Sequence, residues 1–105
     1  MEQPNLSNIQ SIARGSKDFE LKLLNVVKEE LPTEIDAFEK YIKEGVYDKA
    51  SEMVHKIKHK ISLLSMEQSY YTAEEFENEL RNNNPNLLMD FEEILKKMRI
   101  FLQRY

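Results

Sequence analysis

The chain has no cysteine and no tryptophan, and only two glycines and three prolines among its 105 residues. Without cysteine there are no disulfides, no thiolate metal sites and no cysteine nucleophile, as fits a reducing compartment. Stability must therefore come from packing. The scarcity of glycine and proline, with 32% charged residues, favours helix over a sheet-rich design. No run approaches the roughly 18 to 20 apolar residues needed to cross a bilayer. The opening Met1-Glu2-Gln3-Pro4 also lacks the basic-then-apolar order of a signal peptide. A soluble, cytoplasmic protein is expected, with no membrane partner. The chain has no net basic charge either: −4 formally, with a pI near 5.2. A nucleic-acid surface would need a basic face, so the expected partners are proteins. No glycine-rich phosphate loop is present, which argues against an ATP-using enzyme. What is there, 41% hydrophobic residues, suffices for one core, and residues 1–105 read as a single domain.

Sparse punctuation divides the chain into helical segments. A short helix is expected from about Leu6 to Ala13, ended by Gly15, with Ser16 or Asp18 available to cap the next. The second carries Phe19, Leu23, Leu24, Val27, Leu31, Ile35, Phe38 and Ile42 at mostly three- and four-residue spacing and stops at Gly45. Pro32 within it removes a backbone donor and is expected to bend it near Leu31. A third helix should run from about Asp48, a candidate N-cap, to Leu64, burying Ala50, Met53, Val54, Ile57, Ile61 and Leu64. A fourth is expected from about Gln68 to Arg81, with Tyr71, Ala73, Phe76 and Leu80 inward, broken by Asn82-Asn83-Asn84-Pro85. The last, about Asn86 to Gln103, repeats Leu88, Phe91, Leu95, Met98 and Leu102. Short connections between amphipathic helices predict an all-α fold, an antiparallel up-down-up-down four-helix bundle with a short additional N-terminal helix.

On a wheel with Ile57 facing the core, His55 lies at about 160°, His59 at about 200° and Ser62 at about 140°. These three share an exposed stripe that Asp48, Glu52 and Met66 extend, while Lys56 and Lys58 flank it. A core role for His55 is excluded. The geometry alone fits either two solvated histidines or a nucleophile, since neutral imidazole is competent at cytoplasmic pH. Phosphorylation would add nearly two negative charges, and a flexible cation one turn away would help hold them. Lys58 has that spacing. A mid-helix site has no free backbone N–H groups to cradle a phosphate, so side-chain cations carry more of this work.

The segment Ala50 to Met66, with Val54-His55-Lys56-Ile57-Lys58 at its centre, resembles the signature of histidine phosphotransfer domains: a histidine, an apolar residue two later and a lysine three later. Leu64 and a small Ser65 continue the likeness, as do the Gly15-Ser16-Lys17-Asp18 turn, the Gly45 break and the later Glu77-x-x-Leu80. The resemblance implies a phosphorelay intermediate in two-component signalling, with His55 as phosphoacceptor and Lys58 as its electrostatic support. It further implies a monomer that binds no cofactor itself. Its partners would be response-regulator receiver domains, which bring Mg2+, and hybrid histidine kinases.

Family members usually carry glycine four residues after the histidine, where this chain has His59, followed by Lys60 and Ile61. Ile61 falls on the buried stripe, whereas His59 sits beside His55 on the docking face. His59, Ser62 and Lys56 are candidates for docking or phosphate contacts. Three rival readings differ at identifiable residues. A sensor-kinase dimerisation segment would follow the histidine with an acidic residue and a proline, where Lys56 and Lys60 stand. A zinc helix would need a glutamate directly after His55 and a third ligand, so no metal is expected. A non-catalytic scaffolding bundle would share the fold and lack the phosphate chemistry.

Overall fold

The computed structural model describes residues 2–105, and its elements are α1 (Ser7–Ala13), α2 (Lys17–Glu44), α3 (Tyr47–Leu63), α4 (Glu67–Arg81) and α5 (Leu88–Leu102). These all-helical boundaries lie within two residues of those expected, the ordinary uncertainty of helix ends. Among the described residues there is no strand, and no helix is long and apolar enough to cross a membrane. The 28 residues of α2 rise about 42 Å, so this helix sets the 43 Å long axis of the molecule.

The ends of the helices follow from particular residues. Ser16, one of the two expected caps, accepts the Phe19 backbone N–H at 3.2 Å and starts α2. At the other end Gly45 takes φ 73°, and the N–H groups of Gly45 and Val46 bond back to the carbonyls of Ile42 and Tyr41. This is the paired closure that a left-handed residue permits. Ser65 (φ 65°) and Asn83 (φ 59°) close α3 and α4 in the same way, with Met66 N–H on Ile61 and Asn84 N–H on Glu79. Asp48 does not cap α3: Val46 holds that position without a side-chain bond, and Asp48 lies inside the first turn. α2 continues through Pro32, which is exposed, so the Lys28 carbonyl that loses its partner lies on the solvent side.

α3 packs between α2 and α4, α5 lies against α4, and α1 against α2 and α3. One apolar cluster draws on all five helices. Its centre is an aromatic triad: Phe38 of α2 lies 6.0 Å from Phe76 of α4 and 5.1 Å from Phe91 of α5, with Phe76 and Phe91 5.2 Å apart. The two edge-on contacts of Phe38 add about 0.5–1.5 kcal/mol each beyond the area they bury.

Three expected orientations are corrected. Met66 is fully buried rather than part of the exposed stripe, because the left-handed Ser65 turns the chain and the helical wheel no longer applies beyond it. Tyr71 is 59% exposed, being two residues and so about 160° round α4 from buried Ala73. Phe19 is 43% exposed. Lys60, near the end of α3, pairs with Glu30 and Glu34, so the first turns of α2 run past the end of α3. The short α1 packs against α2. Ile94 and Phe101, which the near-heptad pattern of α5 omitted, are in the core.

The chain before α1, with the first turn of α1, fastens the end of α3 and the start of α4. Asn5 N–H bonds to the Leu64 carbonyl at 2.9 Å, Asn8 N–H to Ser65 Oγ at 2.9 Å, and Asn8 Nδ2 to the Ser62 carbonyl at 2.8 Å. The Glu2 carboxylate accepts the Gln68 and Ser69 N–H groups, each at 2.8 Å, and so caps α4 from outside the helix. Partial burial opposes its charge, yet these backbone bonds, helped by Lys97, hold its pKa below the usual carboxylate range.

Candidate functional site

The contact of α3 with α4 builds the site. α4 buries Ser69, Ala73, Phe76, Glu77 and Leu80 along one stripe, so Glu77 is a carboxylate at a core-facing position. Such a group is stable only if paired. Its side chain is 5% exposed, and Lys58 Nζ lies 3.1 Å from Oε1, while Arg81 Nη2 lies 2.6 Å and His55 Nδ1 3.2 Å from Oε2. Burial works against the charge. Lys58 first and His55 second outweigh it, through hydrogen bonding and charge, and keep the Glu77 pKa below the usual carboxylate range.

An ionised carboxylate only accepts, so the shared proton belongs to His55 Nδ1. In the neutral ring the lone pair is then on Nε2, which has no protein partner among the described residues. With its side chain 50% exposed, the imidazole is fixed at one nitrogen and open at the other.

The sequence-selected residues separate into two groups. His55, His59, Ser62 and Lys56 are exposed, as expected. The rings of His55 and His59 stand edge-to-face, centroids 4.9 Å apart and planes at 89°. Lys56 shares a cleft of about 400 Å³ with His55, Glu52, Met53 and Arg81. Ser62 and His59 line a second cleft, of about 330 Å³, with Asn8, Glu67, Tyr70 and Tyr71. Lys58 departs from the expected free flank: its side chain is 8% exposed, bound to Glu77 and set 5.5 Å from the centre of the Tyr70 ring. It lies at the α3/α4 seam, where a flexible ammonium has no room to roam.

Glu77 and Arg81 are the functional candidates that sequence reasoning gave no role. Two signals mark them: an acid on the Ala73, Phe76, Leu80 stripe, and an acid followed four residues later by a base. Among the described residues no cluster of three or more His, Asp or Glu side chains could hold a metal ion. What the arrangement can do is present a pre-oriented imidazole nitrogen on a rigid helix, beside the cations Lys56 and Arg81. Compared with known protein families, curated proteins and solved structures, the chain finds no match in any of the three.

Proposed function

We propose that the chain is a phosphorelay intermediate of the histidine phosphotransfer type, which takes a phosphoryl group on His55 from a receiver-domain aspartate and passes it to another receiver. The observation that carries this reading is the His55 ring, tied at Nδ1 to buried Glu77 with Nε2 open to solvent. Random surface histidines have no need of a buried counter-charge. The architecture that goes with the reading is an antiparallel up-down-up-down bundle of α2 to α5, with α1 as the short additional helix.

In the transfer, the Nε2 lone pair attacks phosphorus and the bond to the aspartyl oxygen breaks, its electron pair staying on the carboxylate. The Nδ1 proton remains against Glu77, whose charge offsets the positive charge that develops on the ring. Lys58 supports the site through Glu77, balancing a carboxylate that would otherwise repel the incoming group. The receiver supplies the divalent ion and most of the catalysis, and this chain, with no kinase site of its own, contributes an oriented nucleophile. Docking uses the His55 stripe, with exposed residues of α1 and α2 beside it.

The test is incubation with receiver domains loaded from acetyl phosphate labelled with 32P. An acid-labile, base-stable label is expected on the native chain and absent from His55→Gln. Equal labelling of both, or none of either, would leave a scaffolding protein as the reading.

A further inference from the structure

Resting on His55 as the phosphoacceptor, we infer that His59 is the side chain that pairs with the phosphoryl group: when His55 carries it, His59 takes up a proton and donates to a phosphoryl oxygen. The nearest cations are already engaged. Lys58 is buried on Glu77 at 3.1 Å, and Arg81 is bound to the same carboxylate at 2.6 Å. Lys56 follows His55 directly and projects about 100° away round the helix, so it flanks the group instead of standing over it.

His59 is one turn from His55 on the same stripe, with ring centroids 4.9 Å apart. It is exposed and makes no hydrogen bond or ion pair among the described residues, so its ring can turn toward a new anion at the cost of only the edge-to-face contact with the His55 ring. The groups around it are His55, Lys56 and Ser62 on its own helix, Glu67, Tyr70 and Tyr71 across the cleft on α4, and Asn8 on α1. Of these, Glu67 is the one acidic side chain. A phosphoryl group at this range adds nearly two negative charges, which favour the imidazolium. The glycine usual at this place in similar domains has no such capacity. The proton comes from solvent, since the Nδ1 proton of His55 stays with Glu77.

The experiment uses phosphoramidate, which phosphorylates imidazole with loss of ammonia, on the full chain and on His59→Ala and His59→Lys. At about pH 7.5 a free imidazole is mostly neutral. Phosphorylation should move the His59 ring 15N signals toward the imidazolium pattern. His59→Ala should shorten the phosphohistidine lifetime about threefold or more, by loss of a charge-assisted bond. His59→Lys, a fixed cation, should restore it, which a packing role would not predict. Phosphate on His55 with unmoved His59 signals and an unchanged lifetime in His59→Ala overturns the inference and leaves His55 standing. No phosphate on His55 overturns both.

Discussion

Glu77→Gln separates what the buried carboxylate does for the fold from what its shape does. The amide keeps the volume and can still accept one hydrogen bond, but it removes the one negative charge among the described residues that touches Lys58, whose side chain is 8% exposed. Removing one partner of a buried pair typically costs 3–5 kcal/mol. Arg81, about half exposed, can relax into water, so we expect the lower part of that range, about 3–4 kcal/mol. Urea unfolding followed by circular dichroism at pH 7 would show this as a lower midpoint with an unchanged slope. Lys58→Met combined with Glu77→Gln removes both charges, and should recover all but about 1 kcal/mol. The pH dependence follows from the depressed Glu77 pKa. The unfolded chain binds its proton first on acidification, so the carboxylate's contribution is full above the unfolded value near 4.5 and is lost as pH falls through the lower folded value. Glu77→Gln should therefore be destabilised at neutral pH and lose less on acidification than the native chain. If the single variant stays within about 0.5 kcal/mol of native, Glu77 is not what keeps Lys58 buried.

Two further substitutions test the fastenings away from the site. Glu2→Ala leaves the first turn of α4 without its external cap and should cost about 1 kcal/mol, with faster hydrogen exchange at Gln68 and Ser69 than elsewhere in α4; exchange that speeds up uniformly would contradict a local cap. Lys60→Gln removes the ammonium that bridges Glu30 at 2.7 Å and Glu34 at 2.8 Å. Burial opposes the Lys60 charge, but the two glutamates raise its pKa above 10.5, so its contribution is full below the unfolded value and is lost as pH rises through the folded one. The variant should be less stable at pH 7 by about 1–3 kcal/mol and show a shallower alkaline decline; an identical decline would exclude Lys60 as its source.

The helices were legible because the rules that set them are local. Gly15, Gly45 and the Asn82 to Pro85 run marked their ends, and the three- and four-residue spacing of Leu24, Val27, Leu31, Ile35 and Phe38 marked a buried face. The failures lie where a local rule met a neighbour. Met66 was misplaced because a wheel assumes the helix continues, and Ser65 ends it. Phe19 was misplaced because its burial depends on how far α3 reaches along α2, which no period in α2 encodes. The exposed stripe with His55 and His59 was readable for the same reason as the helices, being a property of α3 alone. The environment of Lys58 was not, since it is fixed by a carboxylate 19 residues further along the chain on another helix.

That carboxylate also sets two opposed demands on the candidate site. On the proposed reading, its charge held against Nδ1 offsets the positive charge that develops on the ring during attack on phosphorus. The same charge repels an incoming phosphoryl group. Lys58 and Arg81 together bring two positive charges against the one on Glu77, so with a neutral imidazole the cluster keeps one positive charge. Arg81 is the half of this pair that remains open to the cleft beside His55, while Lys58 closes the seam between α3 and α4. On the proposed reading, orientation of the nucleophile is thus tied to packing: weakening Glu77 leaves an excess of cation that would attract phosphate, but leaves the imidazole unoriented and the seam unpaired. An exposed glutamate beside His55 would not impose this coupling, because water would screen it from the ring and from the two cations alike.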